Sequence, residues 1–242
     1  MDPTLIPNSP SILASRRARS LYGITISLIV MLILITSTIR FVTNNVPIYL
    51  FLFERYGVEE ATGIPRTELS RISTEFQHYF SSDARYIDIA AEVHGVRRSL
   101  FSQDELLHMV DVKGLFQLVW AVQLVSIILA SCSGLLVIAA FRSAGVRIVV
   151  NSLAIGGMLA AGLTILFVIM SIVAFGPLFT LFHELGFRND LWKLDPRTNL
   201  LVQIFPFGFW RAIAVITGGL ILLESFILIA GSRAYLLLRM KR

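Results

Sequence analysis

Long apolar stretches dominate the pattern of hydrophobic and polar residues along this chain. Four of them span residues 21–42, 115–141, 148–175 and 209–233. Each is long enough to cross a bilayer, which takes about 20 residues. Because backbone groups in lipid must find hydrogen-bond partners within their own segment, each stretch is predicted to be helical. The sequence therefore predicts an all-α membrane protein with four transmembrane helices.

The polar segments between these stretches complete the predicted layout. Residues 43–114 are predicted to form an extracytoplasmic helical cap between the first two spans, and residues 176–208 an extracytoplasmic aromatic hairpin. A short link covers residues 142–147, and a C-terminal tail covers residues 234–242. Residues 1–20 form a basic tail that contains Pro and Ser, and we expect it to be loosely ordered.

Lysine and arginine are distributed unevenly over these segments. The two tails and the link, together with Arg233 at the end of the last span, carry nine basic residues and are opposed only by Asp2. The two long connections with the adjoining span ends carry 12 basic and 14 acidic residues. The positive-inside rule then places both termini and the link in the cytoplasm. The sequence pI near 9.7 therefore reflects membrane topology, and no nucleic-acid partner is predicted.

The cap carries helical signals of its own. After Pro65, which suits a helix start, five apolar residues recur at helical spacing: Leu69, Ile72, Phe76, Tyr79 and Phe80. Before them, the apolar residues 49–53 are predicted to rest on the membrane interface or to re-enter it. Further on, Ser102 and Glu105 form a capping-box pattern, which predicts a helix that runs toward the second span.

Aromatic residues are concentrated in and around the predicted hairpin. Nine of them lie between residues 175 and 210, about a quarter of that segment against 11% of the whole chain. A loop that only joined two membrane helices would not need this composition. The rings could form an interfacial belt or line a pocket, and the two interpretations fit equally well.

All four histidines lie in segments predicted to be extracytoplasmic. His78 and His94 are interpreted as exposed or interfacial, because single polar residues usually face water. His108 lies in the capped helix, three residues before Asp111, which could orient its ring. His183 lies in the hairpin at a corresponding depth, so its ring could meet that of His108. On spacing alone, two unrelated interfacial histidines are as plausible as a functional pair.

Several other chemistries lack the residues they require. His183-Glu184 resembles the start of a zinc-protease helix, but the fourth residue after His183 is Phe187 and not a second histidine. No other residues have metal-ligand spacing, so no metal is expected. A Gly-Xaa-Ser-Xaa-Gly elbow is absent. The single cysteine, Cys132, cannot form a disulfide within the chain.

Three segments of the chain resemble a known family. Residues 101–113 (FSQDELLHMVDVK), residues 181–196 (LFHELGFRNDLWKLDP) and Phe205-Pro206 are similar to the bacterial membrane family that includes the lipoprotein intramolecular transacylase Lit. The four-span layout with an outer cap is similar as well, so the resemblance covers nearly the whole chain. It implies that His108 and His183 are the catalytic residues.

The resemblance also implies a reaction, an acyl transfer in the bacterial cytoplasmic membrane. The substrate would be a diacylglyceryl lipoprotein, whose sn-2 acyl chain would move to the amine of the N-terminal cysteine. Because an ester becomes an amide, no cofactor is needed. One histidine, with an ordinary pKa of about 6.5, would take the amine proton near neutral pH. The other would stabilise the developing oxyanion.

Further residues are expected to assist the two histidines. Asp111 would orient His108, and three polar residues would shape the hairpin: Asn189, Asp190 and Asp195. Three aromatics are the candidates for the wall of a substrate pocket: Phe182, Trp192 and Phe205. Such a pocket would hold the substrate's amine against its own ester.

Two other functions stay open at this point. A non-enzymatic four-span protein could use its cap to bind lipid or an envelope protein. A metal-dependent membrane hydrolase would need three or more converging ligands. His108 and His183 within a few ångströms of each other would favour the transacylase, whereas histidines that face water on opposite sides would favour the binding protein.

Overall fold

The computed structural model describes residues 10–240, with side chains for residues 16–239. Three helices in this range are long and apolar enough to cross a membrane, namely the first, the longest and the last. The elements follow in this order: α1 (Pro10–Thr43), α2 (Val46–Arg55), α3 (Val58–Thr62), α4 (Arg66–Ser81), β1 (Ala90–Val93), β2 (Val96–Ser99), α5 (Gln103–Val173), α6 (Phe175–Gly186), α7 (Leu200–Ile204) and α8 (Phe207–Met240).

The chain divides into two compact units. The first consists of the residues up to Thr36, Val122–Thr164 and the residues from Leu220 onward. The second consists of Ser37–Ala121 and Ile165–Gly219. The second unit contains every residue that the sequence analysis singled out for chemistry.

The longest helix, α5, is interrupted at Arg142, whose φ of 50° and ψ of −120° are not helical. A Cβ atom added to Gly145 would lie only 2.3 Å from the carbonyl oxygen of Val137. In a continuous helix these two residues would be separated by about 12 Å along the axis. The chain therefore turns back on itself at Arg142. The link predicted over residues 142–147 is correspondingly shorter, because the helix resumes directly after this one residue.

The terminal helices extend beyond the predicted spans. Helix α1 begins at Pro10, so residues 10–20 are helical and the prediction of a loosely ordered segment is wrong there. Helix α8 continues to Met240, past the predicted end of the last span at residue 233. Neither extension contains an internal Gly or Pro that would end it, and Pro10 is compatible with a first helical turn. The rest of the two predicted tails lies outside the described residues.

Small residues allow helices of the first unit to approach each other closely. The Ser152 hydroxyl on α5 donates to the carbonyl oxygen of Gly23 on α1 at 3.0 Å. A Cβ atom on Gly156 would come within 2.7 Å of Val30. Close backbone approach of this kind is the usual basis of helix packing in lipid.

The second unit contains a β-hairpin that the all-α prediction missed. Strands β1 and β2 pair antiparallel, with Ala90 opposite Ser99 and Val93 opposite Val96. The two turn residues, His94 and Gly95, both have positive φ, 51° and 78°, as two-residue hairpin turns of type I′ require. All four residues of β2 are exposed, so the strand shows no alternation of apolar and polar residues that the sequence could reveal.

The core of the second unit is largely aromatic. Helix α4 buries all five residues predicted from its spacing, together with Ser73. The apolar segment of residues 49–53 lies in α2, where Tyr49, Leu52 and Phe53 are buried in this core. The prediction that this segment rests on the membrane interface is therefore wrong for these three residues, because neighbouring rings cover them.

The start of α5 is fixed by the predicted capping box. The Ser102 hydroxyl accepts from the backbone N–H of Glu105, and the Glu105 carboxylate accepts from the Ser102 N–H at 2.7 Å. The other carboxylate oxygen accepts from the backbone N–H of Leu201 at 2.7 Å. Glu105 is buried and joins the first turn of α5 to the first turn of α7, a contact that the sequence did not reveal.

Helix α5 ends where the chain turns into α6. Ala174 has φ of −141°, which breaks the helix, and Pro177 then occupies the first turn of α6, where no backbone N–H is needed. His183 follows near the C-terminal end of α6. His108 lies near the N-terminal end of α5, before the apolar stretch that begins at residue 115.

The turn between β1 and β2 packs against Gly63, and a substitution at Gly63 tests this packing. Gly63→Ala should destabilise the protein by about 1–2 kcal/mol or more, because Gly63 has φ of +63° and an added Cβ would lie 2.3 Å from the His94 ring. Thermal unfolding in detergent measures this change. Gly114→Ala is the matched control, since its Cβ would meet no atom within 4 Å. Equal unfolding midpoints for the two variants would contradict the described packing.

Candidate active site

The structure brings the rings of His108 and His183 together. Their centroids are 6.2 Å apart and their planes are inclined by 27°. Both side chains are buried, each with 7% of its surface exposed. Although the residues are remote along the chain, helices α5 and α6 carry them to the same place within the second unit.

Aromatic side chains enclose the two imidazoles. Phe187, just after α6, lies against both rings, with centroid distances of 5.2 Å to His108 and 5.4 Å to His183. The His183 ring also contacts three others: Phe179 at 4.1 Å, Trp192 at 4.9 Å and Phe182 at 5.2 Å. This set of rings excludes water from most of the imidazole surface.

The hydrogen bond of His183 determines its tautomer. Its Nδ1 lies 2.7 Å from the backbone carbonyl oxygen of Phe179, one turn earlier on α6. A carbonyl oxygen can only accept, so Nδ1 carries the proton and donates it. In the neutral ring the lone pair is then on Nε2, which is free to accept a proton from a substrate.

His108 differs in its hydrogen bonding. Its Nδ1 is buried and has no hydrogen-bond partner. A buried N–H without an acceptor is rarer in proteins than an unpaired acceptor. The neutral ring therefore favours the tautomer with the proton on Nε2. The pair then offers one N–H donor, from His108, and one acceptor, from His183.

Burial keeps both rings neutral at pH 7. It lowers the pKa of His108 to about 4, and the nearby His183 ring lowers it further than Asp111 raises it. Burial also lowers the pKa of His183, although the bond to Phe179 opposes this shift. The ordinary value near 6.5 assumed from the sequence therefore overestimates the basicity of these rings.

Asp111 does not hydrogen-bond to the ring it was expected to orient. Its carboxylate accepts from the side-chain amide of Asn189 at 2.8 Å, and Asn189 in turn accepts from the backbone N–H of Leu191. The prediction that Asp111 orients His108 directly is therefore corrected, because the Asp111 carboxylate binds the side-chain amide of Asn189 instead. The bond instead joins α5 to the segment that carries Trp192.

The two remaining polar residues shape the same segment from its surface. Asp190 forms a salt bridge with Lys193 at 2.7 Å. Asp195 accepts from the side chain and backbone N–H of Arg197, and its own N–H donates to Asn199 at the start of α7. Neither aspartate hydrogen-bonds to a histidine. Both stabilise turns between α6 and α7.

The three predicted wall residues do not all reach the histidines. Trp192 and Phe182 lie against the His183 ring, although Phe182 is 55% exposed. Phe205 instead packs in the aromatic core, where its ring contacts Tyr49, Phe53, Phe76, Phe209 and Trp210. Its assignment to the pocket wall is wrong, because the turn after α7 directs it into that core.

Two residues of the enclosure were missed by sequence reasoning. Phe187 contacts both imidazoles, yet it was noted only as the residue that rules out a zinc motif. Phe179 supplies both a ring and the carbonyl oxygen bonded to His183. It stands four residues before His183 on a helix, so the spacing that places side chains on one face could have found it.

Comparison with known proteins identifies the family. A family model described as Lipoprotein intramolecular transacylase Lit matches residues 24–210. The chain belongs to the Lit family. A search of curated protein sequences found no match.

Solved structures of the membrane-integral lipoprotein intramolecular transacylase Lit from Bacillus cereus share this fold. One matches with a TM-score of 0.78 and 19% identity, over 93% of this chain and 99% of that chain. In two others a histidine is replaced, by arginine or by alanine. These match with TM-scores of 0.75 and 0.74 and 19% identity, each over 96% of this chain and over 98% and 100% of theirs.

Membership in the Lit family confirms the predicted activity. The protein is an enzyme that moves an acyl chain within a diacylglyceryl lipoprotein, from the sn-2 ester to the N-terminal cysteine amine. Its relatives are integral to the membrane, and its own apolar helices agree with that setting. The non-enzymatic alternative and the metal-dependent hydrolase are set aside.

The lowered pKa of His108 gives a prediction for stability. As pH falls from 6.5, the unfolded chain takes up a proton before the folded one does, so stability falls until pH about 4 is reached. His108→Gln should therefore lose less stability than the parent between pH 6.5 and 4.5. Unfolding midpoints measured across this range test it. His78→Gln, at an exposed histidine on α4, is the control and should follow the parent. If His108→Gln lost as much stability as the parent over this pH range, the lowered pKa of His108 would be contradicted.

Proposed function

We propose that His108 and His183 perform the acyl transfer of this family within the aromatic enclosure that surrounds them. The observation that carries the proposal is the pairing of two buried, neutral imidazoles 6.2 Å apart, one offering a donor and the other an acceptor. Acyl transfer to an amine needs both, because a proton must leave the nitrogen while negative charge develops on the carbonyl oxygen.

His183 is proposed as the general base. The cysteine amine attacks the carbonyl carbon of the sn-2 ester, which forms the nitrogen–carbon bond. The free Nε2 of His183 takes the proton that the nitrogen loses. As the carbonyl carbon–oxygen bond to glycerol breaks, the same proton passes to the departing glycerol oxygen. The bond between Nδ1 and Phe179 holds the ring in the required tautomer throughout.

His108 is proposed as the donor that stabilises the oxyanion. With a pKa of about 4 it is a weak base, so at neutral pH it meets the substrate as an uncharged N–H donor. The hydrogen bond from a neutral N–H becomes stronger as the carbonyl oxygen becomes negative. It therefore stabilises the transition state more than the bound substrate. The dry surroundings strengthen this interaction further.

The aromatic enclosure is proposed to act on conformation. The attacking nitrogen and the ester belong to one molecule, but they are joined through several freely rotating bonds. Confinement by Phe187 and Trp192 would restrict these rotations and hold the atoms near the attack distance. Asp111 and Asn189 would keep Trp192 in place through their hydrogen bond. Asp190 and Asp195 would do so through the turns they stabilise.

The membrane arrangement is proposed to have four spans, with residues 21–42 and 209–233 as the first and last. The reversal at Arg142 supports two spans within α5, over residues 115–141 and 148–175, because its 71 residues would otherwise measure about 107 Å. Both termini and residues 142–147 would be cytoplasmic by their basic charge.

The remaining segments would face the outer side of the bacterial cytoplasmic membrane. These are the cap of residues 43–114 and the aromatic segment of residues 176–208. The site would then stand at the outer leaflet, where diacylglyceryl lipoproteins are anchored.

Replacement of either histidine tests the two-histidine mechanism. His108→Ala and His183→Ala should each reduce transfer at least about 100-fold while the protein still inserts and folds. Mass spectrometry of lipoprotein N-terminal peptides distinguishes the diacylglyceryl form from the N-acyl lyso form. His78→Ala is the matched control and should retain activity. Full turnover by both site variants would refute the mechanism.

The pH dependence of the reaction provides a second test. The pKa values of His108 and His183 both lie below the ordinary histidine value of about 6.5, so neither ring titrates above pH 6.5. The rise of kcat/KM with pH should therefore follow the substrate amine, with a midpoint at about 7.7–8.0. A steady-state profile with a short lipopeptide measures it. A midpoint at 6.5 that disappears in His183→Gln would show that the ring itself titrates.

A further inference from the structure

An open cleft of about 260 Å³ borders two of the aromatic rings that enclose the histidines. Phe187 and Trp192 line it, and the same two rings contact His183. The rest of its lining is polar and charged, unlike the aromatic enclosure of the histidines. It is smaller than the range of about 300–1,000 Å³ that is usual for small-molecule pockets, so it suits a short segment of a larger ligand.

Two charged side chains of the cleft have no ion-pair partner within the described residues. Asp190 and Lys193 pair with each other at 2.7 Å. Glu184 and Arg188, which stand on either side of Phe187 in the chain, form no such pair, and both are exposed. The cleft thus presents one carboxylate acceptor and one guanidinium donor beside the aromatic enclosure.

The chemistry of the substrate indicates what such a cleft would hold. The acylated cysteine has three kinds of attachment: apolar acyl chains, the reacting amine and ester, and the polypeptide that continues from its carbonyl group. The acyl chains suit lipid and the apolar rings, and the reacting atoms must meet the histidines. The polypeptide is polar and must leave toward water, and its backbone alternates N–H donors with C=O acceptors.

We propose that this cleft binds the first residues of the lipoprotein's polypeptide after the acylated cysteine. Arg188 donates to a peptide carbonyl oxygen, and Glu184 accepts from a peptide N–H. Since these contacts are to the backbone, they hold lipoproteins of different sequence in one register. The inference rests on the proposed function, because the cleft matters only if the cysteine amine reacts at His183.

The experiment compares two substrates that differ only in the polypeptide. One is a diacylglyceryl-cysteinyl pentapeptide with uncharged residues after the cysteine, and the other is diacylglyceryl-cysteine amide. Purified enzyme in detergent is assayed on both, and the ratio of the two kcat/KM values is the measured quantity. Arg188→Gln and Glu184→Gln should each lower this ratio about fivefold, mainly through KM for the pentapeptide. Arg98→Gln, at an exposed arginine on β2 outside the cleft, is the matched control and should leave the ratio unchanged.

The possible results separate the subsite from the proposed function. An unchanged ratio in both cleft variants, or an equal loss on both substrates, overturns the subsite while the two-histidine mechanism stands. A ratio that falls equally in Arg98→Gln also overturns it, because the effect would then follow surface charge. If the enzyme without substitutions converts neither substrate, both the proposed function and the subsite are contradicted.

Discussion

Burial of two imidazoles with no carboxylate hydrogen-bonded to either ring is the constraint on which the site depends. A carboxylate in that position would favour the charged ring and raise its pKa. In the described part of the chain, the only hydrogen bond to either ring comes from a backbone carbonyl oxygen, that of Phe179. Burial therefore decides the charge state, and both rings stay neutral. Neutrality is what allows one ring to accept a proton and the other to donate a hydrogen bond at the same pH.

The rest of the second unit holds these rings in place. The buried Glu105 carboxylate joins the start of α5, one turn before His108, to the start of α7. The Asp111–Asn189 bond joins the next turn of α5 to the segment that carries Trp192. Helix α6 begins directly after Ala174, where α5 ends. Polar contacts thus position the elements, whereas aromatic rings form the surroundings of the two imidazoles.

Features that depend on neighbouring residues in the chain could be predicted from the sequence. The apolar face of α4 follows from helical spacing, and the capping box of Ser102 and Glu105 follows from local hydrogen bonding. The pairing of His108 with His183 joins distant segments, and only the family resemblance implied it. Other contacts between distant segments could not be predicted. The sequence suggested only His108 as a partner of Asp111, and the fold shows that Asn189 donates to its carboxylate.

The features that were missed have no local signal in the sequence. The β-hairpin is short and its second strand is wholly exposed, so no alternating pattern marks it. Phe205 and Phe182 have the same side chain and lie in the same aromatic-rich segment, yet one is in the core and the other is 55% exposed. Composition showed that aromatic residues are concentrated in this segment and left a belt and a pocket equally open, because the direction of each ring depends on the turns around α7.

The account depends most directly on the protonation state of the two rings. Nitrogen NMR of the protein labelled with ¹⁵N-histidine measures it at pH 7, with His108→Gln and His183→Gln used to assign the signals. The account predicts two neutral imidazoles, with the proton on Nδ1 in His183 and on Nε2 in His108. An imidazolium at either position, or a His183 ring protonated on Nε2, would contradict it.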